Sequence, residues 1–375
     1  MKKTLIVAIC VCMVIAGYLA FTTVDKTTAV ADAKGKTYSG TVYVAGDGGH
    51  YAIADITIDP SADQPIKLNK DLDRIVVSGQ AIHDVRIDNK YRTKGYFSTY
   101  AIDEKAGANK YHRGMVDFKN NKVSMDNTET LPDRAPWAGA VFCASGQTNK
   151  DYIPVSMTQE AFIQIVDKAT MKTKETIFLD KEGYKNNYLF FHGTNSPDMK
   201  TFAIAIDGAD GWDATQPFHF LNGKVDMMLV DLPELVKGKI KVLAKGGAAG
   251  EKYKTIGFRQ YFTPDGKKIL QAAGDRLLVF DAKTLKLDAT QMMTDAENHD
   301  AMPTPDGKYA ILTLRANQHD PKNAEATIQD GMLALYDIAA KKIVGKPTTV
   351  CNGCHKTMLG KYINAPLCGI DGNVK

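Results

Sequence analysis

The sequence lacks the short motifs that betray most enzymes. It has no G-x-S-x-G nucleophile elbow, no H-E-x-x-H zinc helix and no Walker phosphate loop. Long helical periodicity is scarce between Lys34 and Gly345, so the body of the chain is not built from helices. Long runs of like charge are missing too. The 47 Lys and Arg residues face 43 Asp and Glu residues, and the net charge is +4. With no basic patch interleaved with aromatics, nucleic acid is not an expected partner. Cysteine is sparse, at six residues, and Cys10 and Cys12 belong to an apolar N-terminal run. The remaining four, Cys143, Cys351, Cys354 and Cys368, would be odd as free thiols in an oxidising compartment, so haem, metal or a disulfide should account for each.

That compartment follows from the N-terminus. "MKK" is a basic n-region, and Thr4–Phe21 is an uninterrupted apolar run followed by a polar, Thr-rich stretch. This reads as an export signal. Its length also suits a retained inner-membrane anchor, and Ala29-Val30-Ala31 has the form a signal peptidase reads. Residues 1–33 are therefore a signal peptide or an anchor, and the rest is expected to be periplasmic.

What the chain does have is repetition. "NSPDMKTFAIAID" (195–207), "FTPDGKKILQAAG" (262–274) and "PTPDGKYAILTLR" (303–315) share a Ser/Thr-Pro-Asp turn, a Lys and a strand. Pro sets φ in such a turn, Asp bonds the backbone ahead of it, and Gly takes the positive φ. Each copy is followed by an apolar strand ending in Asp and a short turn, as in "DRLLVFDAKTLKLD". The terminal aspartates read as Asp103, Asp167, Asp231, Asp281 and Asp337, with Asp55 as one more. A strand-turn-strand unit recurring at this period means blades, so the expected fold is an all-β propeller over residues 34–345, with about seven blades. Trp137 and Trp212 read as packing between blades.

The S/T-P-D-G-K turn followed by "LLVFDAKTLKL" resembles the YVTN-type propellers and the haem-binding propeller of cytochrome-type nitrite reductases. The resemblance is strong over 160–345 and weak before it. It implies a fold and carries no function on its own.

Function is written in residues 346–375, a short tail containing Cys351-Asn352-Gly353-Cys354-His355. C-x-x-C-H is the attachment signature of c-type haem. Two thiols three positions apart form thioethers, and the adjacent histidine, His355, is the expected proximal iron ligand. Only twenty residues follow His355, too few for the helices of an ordinary cytochrome c. The haem is thus expected to lie against the propeller or a partner. A Cys₃His zinc site from Cys351, Cys354, His355 and Cys368 is the bland alternative. Cys368 could instead pair with Cys143 in a disulfide.

A second site is expected on the propeller axis. His83 and His299 share a His-Asp context, and His192 and Arg259 occupy nearly the same offset before their turns. Loops at that point of a blade converge on one funnel. The four could hold a ligand or a second cofactor, haem-like or copper, or simply cap strand ends. His50, His112, His219 and His319 read as solvent-facing or structural. The leading expectation is an exported monohaem c-type cytochrome that passes electrons to periplasmic or membrane redox partners. The alternatives are a reductase with its reaction centre in the funnel, acting on a small oxidised nitrogen species as the resemblance implies, and a non-redox interaction propeller with a zinc-stapled tail.

Overall fold

The computed structural model describes residues 36–375 apart from 47–49, 70–72, 78–79, 101, 108, 135–141, 158–161, 186, 212–220, 317–330 and 352–366. The export segment, Trp137, Trp212, His219, His319, Cys354 and His355 lie outside the described residues.

Among the described residues, twenty-five strands form six sheets. Blade one contains β1 (Tyr38–Val44), β2 (His50–Ile58), β3 (Ile66–Leu68) and β4 (Asp73–Val76). Blade two is β5 (Arg86–Ile87), β6 (Lys94–Ser98), β7 (Lys110–Asp117) and β8 (Lys122–Thr130). Blade three is β9 (Phe142–Gln147), β10 (Asp151–Ser156), β11 (Phe162–Asp167) and β12 (Thr173–Phe178). Blade four is β13 (Tyr188–Asn195), β14 (Thr201–Ala209), β15 (Leu221–Asp231) and β16 (Val242–Ala249). Blade five is β17 (Gln260–Phe262), β18 (Lys268–Ala272), β19 (Arg276–Asp281) and β20 (Leu287–Met292). Blade six is β21 (Ala296–Pro303), β22 (Tyr309–Ala316), β23 (Gly331–Asp337) and β24 (Lys342–Cys351). The last strand, β25 (Ile370–Val374), pairs with β1 and completes blade one.

The count is six blades and not the seven expected from length, because each blade takes more chain than the repeat period allowed. One aspartate closes the third strand of every blade: Asp59, Asp117, Asp167, Asp231, Asp281 and Asp337. Its carboxylate accepts a backbone N–H two or three residues ahead, as at Ser61 (2.9 Å), Lys119 (3.0 Å), Ala169 (3.0 Å) and Ala340 (2.8 Å). In blade four the same aspartate caps the short helix α1 (Leu232–Leu235) through the Glu234 N–H. Asp55 and Asp103 do not occupy this place. Asp55 pairs across to Thr41 inside β2, and Asp103 lies between β6 and β7.

The Ser/Thr-Pro-Asp turns join first to second strands in blades four, five and six. In each the hydroxyl donates to the Asp two residues on, at 2.7 Å in Ser196 and Thr263 and 2.9 Å in Thr304. The same oxygen accepts the N–H five residues on, so one side chain locks the turn.

First strands of neighbouring blades contact one another around the ring, which places β25, β5, β9, β13, β17 and β21 on the axis. β9 is buried at every position, whereas the outer strand β8 alternates between exposed and half-buried. Apolar clusters fill the spaces between blades, for example Ile163, Phe191, Ile204 and Met228 between blades three and four. Sheets that cannot cover both faces alone are stabilised by this stacking. Because β25 is a propeller strand, the propeller runs beyond residue 345 into the segment assigned to the tail, and 352–366 falls between two of its strands.

Candidate axial site

All six axial strands, or the residues leading into them, bring one side chain to a single contact network. These are His83 in blade two, Cys143 in three, His192 in four, Phe258 in five, His299 in six and Cys368 in one. His83 stacks on Tyr100 with ring centroids 3.6 Å apart, and its Nδ1 lies 3.8 Å from Cys143 Sγ. Phe258 stacks on His299 at 3.7 Å and meets His192 edge-on at 6.1 Å. Arg315 Nη2 lies 2.8 Å from Cys368 Sγ and 3.0 Å from His299 Nδ1. A guanidinium is always a donor, so His299 Nδ1 accepts, and its Nε2–H donates to Glu297.

Arg259 is the hub of this network. Its Nε donates to Asp300 at 2.8 Å, and its Nη1 donates to Asp84, to the Cys143 carbonyl at 2.5 Å and to the His83 carbonyl at 3.4 Å. Asp84 also receives the Ser145 hydroxyl, and Asp300 receives the Ile370 N–H at 3.0 Å. One guanidinium thus joins blade five to blades six, two and three, and through Asp300 to blade one. Gly369 is required here, since a Cβ would stand 2.8 Å from Arg259 Cζ and 2.7 Å from the His83 carbonyl. The Arg259 Nη2 group has no hydrogen-bond partner among the described residues.

Burial opposes charge throughout, and the neighbours decide the outcome. It works against the Arg259 cation, but Asp84 and Asp300 outweigh it and hold its pKa well above the ordinary value. Burial also acts on Cys368, yet Arg315, His83 and His299 pull its thiol well below the usual range. Cys143 goes the other way, since burial raises it more than His83 lowers it. His192, buried and close to Arg259, His299 and His83, is pushed well below the usual imidazole range and stays neutral.

The structure therefore brings together His83, His192, Arg259 and His299. Cys143 and Cys368 stand in the same network as free thiols, each engaged with a different partner. Sequence reading missed Asp84 and Asp300 as the Arg259 counter-ions, as well as Arg315, Glu297 and Asp207. Among the described residues the buried Asp207 carboxyl receives only the Gly257 N–H, and burial holds its pKa well above the usual carboxylate range. The repeated His-Asp pairs were the available signal for the counter-ions. Among the described residues, no three His, Cys, Asp or Glu side chains already share a metal-coordinating centre.

Cys351, the first residue of C-x-x-C-H, is tied to the same end of the axis by register. It pairs with Gly331, Gly331 with Arg315, and Arg315 with Glu297, in one row from the outer edge of blade six to its first strand. The described chain resumes at Leu367, whose carbonyl accepts from Arg315 Nε at 3.2 Å.

His112, read as solvent-facing or structural, lies outside the axial network and bridges Asp126 and Asp103, with both contacts at 2.8 Å. Burial disfavours its charge, but the two carboxylates outweigh that and raise its pKa above 6.5, while Asp103 is lowered below 3.8 chiefly by its hydrogen bond to His112. A raised histidine contributes stability that is complete below 6.5 and is lost as pH climbs through the folded value; a lowered aspartate contributes above 3.8. The melting-temperature gap between wild type and His112→Gln should then be widest between pH 3.8 and 6.5 and shrink above it. A gap independent of pH would show that the bridge is not charged.

No family model and no curated protein matches this chain. Among solved structures it is similar to Kuenenia stuttgartiensis hydrazine synthase, with 14% identity and a TM-score of 0.46 over 75% of this chain and 68% of that one. It is also similar to a protein of unknown function from Bacteroides caccae, with 10% identity and a TM-score of 0.50 over 89% of this chain and 98% of that one. Likeness at such identities is one of fold.

Proposed function

We propose that the chain is an exported monohaem c-type cytochrome on a six-bladed propeller, carrying electrons in a periplasmic respiratory chain. The observation that carries this reading is where C-x-x-C-H begins and where the chain comes back. Cys351 ends the outer strand of blade six, and residues 352–366 lead from it to Leu367 and Cys368 beside the axis. Gly331, the pairing partner of Cys351, also faces the Leu367 side chain, so those ends lie close together. The segment could span some 50 Å if extended, so it has chain to spare for holding a group over the axial end. The segment carrying the motif thus runs between two described propeller strands, β24 and β25.

The donor set suits haem: two thiols for the thioethers and an imidazole beside the second. A haem bound there supplies a one-electron centre. The propeller's own residues hold the frame. Arg315 grips Leu367 and Cys368, and Gly331 leaves room for the Leu367 side chain, which a Cβ would meet at 2.5 Å. The buried axial network offers a low-dielectric wall, one of the levers on reduction potential. Periplasmic or membrane redox proteins would be its partners.

The test is a pyridine haemochrome spectrum with iron and zinc content, on the exported protein and on Cys351→Ala/Cys354→Ala. The expected result is one c-type haem per chain, wholly lost in the double variant. Zinc without haem would overturn it in favour of the Cys351, Cys354, His355 and Cys368 staple.

The convergence of His83, His192, Arg259 and His299 favours one further reading, a reductase whose reaction centre is the funnel. A second cofactor, seen as absorption beyond one haem c, would move the assignment there.

A further inference from the structure

We propose that one end of the propeller is a docking face for a bilayer surface bearing anionic phospholipid. The inference does not depend on haem.

Topology sorts the charge. Neighbouring strands of a blade are antiparallel, so the connections from first to second and from third to fourth strand leave at the same end. Those of neighbouring blades touch. Asn89 of blade two lies 3.0 Å from Asn149 of blade three and 3.1 Å from Met199 Sδ of blade four. A Cβ on Gly266 of blade five would meet Pro197 at 3.9 Å, and one on Gly307 of blade six would meet Pro264 at 3.4 Å. In blades two to six each of these ten connections carries at least one Lys. Counted with the strand residue on either side, they hold nineteen basic and eleven acidic side chains. The nine connections at the other end between β6 and β23, counted the same way from the sequence, hold ten basic and fourteen acidic ones. A net charge of only +4 thus hides a basic end and an acidic one.

The basic side chains are also the free ones. The carboxylates that close the third strands are held by backbone N–H groups of their own turns. Lys119, Lys150, Lys239, Lys283 and Lys308, one in each of blades two to six, are exposed and make no ion pair among the described residues. Charge spread over five blades matches an extended anionic plane better than a partner seated in one groove.

Apolar side chains stand among them. Three of the five exposed large hydrophobics of the described residues lie at this end. Tyr91 is 53% exposed, with the Lys90 and Lys94 ammonium groups 5.0 and 5.5 Å from its ring centroid. Leu287 and Leu243 are the first and second residues of β20 and β16, just past their turns. Lysine beside exposed tyrosine and leucine is the composition that seats at a headgroup layer.

The chain enters the propeller at the same end. β1 starts here, and the Tyr38 hydroxyl donates to Asp306 in a blade-six turn at 2.9 Å. The apolar run Thr4–Phe21 precedes it in sequence, so if retained as an anchor it would tether the propeller by its basic end. Cys351, the last residue of β24, lies at the opposite end, and C-x-x-C-H would begin on the side away from the bilayer.

The experiment is lysine acetylation footprinting, read by mass spectrometry, of the full chain on phosphatidylcholine vesicles with and without phosphatidylglycerol. The expected result is slower acetylation of Lys239, Lys283 and Lys308 on the anionic vesicles only, with Lys105 and Lys252 at the other end unchanged. Protection should fade from about 0.1 to 1 M salt, as the Debye length falls from about 10 to 3 Å. Each lysine near an anionic surface contributes about fivefold to binding, so Lys239→Gln/Lys283→Gln/Lys308→Gln should weaken attachment about 100-fold and unmask Lys119 and Lys150. Equal protection on both kinds of vesicle would overturn the proposal, because the apolar run alone would then hold the chain. Absence of protection on either would overturn it too and leave an acidic protein as the partner of this end. Lys105 and Lys252 protected as strongly as the turns would show that the ends are not distinguished, with the same consequence.

Discussion

Arg259→Leu is expected to lower the unfolding free energy by about 3–5 kcal/mol, the usual result of removing one partner from a buried ion pair. The loss is large because the damage is done to what remains. Asp84 and Asp300 are 1% and 0% exposed, and each would lose its closest cation, leaving Asp84 with the Ser145 hydroxyl and Arg86 at 3.9 Å and Asp300 with the Ala301 and Ile370 N–H groups. Against a total stability of about 5–15 kcal/mol, such a loss is a substantial fraction. The mechanism makes a sharper forecast than the single variant. If uncompensated charge is the cause, Arg259→Leu with Asp84→Asn and Asp300→Asn should recover part of the loss, because removing a whole buried network costs less than breaking it. A surface control, Lys267→Ala, breaks only the exposed 3.5 Å pair with Asp265 and should change stability by less than about 1 kcal/mol. Urea midpoints at constant m-value decide the matter. A shift of Arg259→Leu no larger than that of Lys267→Ala would remove Arg259 from its place as hub.

The same residue shows how far the sequence could be read. Arg259 was noticed because it stands where a histidine stands in neighbouring repeats, and position within a repeat translates directly into position around an axis. Its counter-ions sat in the repeated His-Asp pairs but were not linked to it, since Asp84 lies 175 residues away and meets it only through ring closure. The Ser/Thr-Pro-Asp turns were legible because their bonds are local, from Thr263 to Asp265 and Lys268 for example. Blades one and two were misread for the opposite reason. They lack that turn, so Asp55 and Asp103 were chosen over Asp59 and Asp117, which do the same work at each third strand's end. The blade count then had to come from length, and length overestimated it. Cys143 and Cys368 were singled out as needing a role, and spacing could not tell that each has its own histidine neighbour at the axis.

Ending the chain at Cys368 should abolish the folded propeller while leaving Cys351, Cys354 and His355 in the polypeptide. The segment removed, Gly369–Lys375, looks dispensable by composition, with two glycines and an aspartate in seven residues. Its position says otherwise. β25 is the axial strand of blade one and pairs with β1 from Ile370↔Val44 to Val374↔Gly40. Without it, the chain's first blade has no inner strand and the ring has no clasp. Ile370 and Val374 are buried, and burying each such side chain stabilises by about 1.5–3 kcal/mol. Its backbone also closes the hub: Ile370 N–H donates to Asp300 at 3.0 Å, and its carbonyl accepts the Tyr261 hydroxyl at 2.6 Å. The Asp371 carboxyl accepts the Ile87 N–H at 2.9 Å, which ties blade one to blade two. These losses together approach the whole stability of an ordinary domain. Circular dichroism and protease resistance of the truncated chain are the direct readouts, and Ile370→Asp, which keeps the length and buries a charge, should fail in the same direction. Adding the missing strand back as a peptide should restore a cooperative melt, because an unpaired axial edge is a template for exactly one partner sequence in register. A truncated chain that melts like the wild type would mean the ring closes without β25, and the anchoring of residues 352–366 at both ends would fall with it.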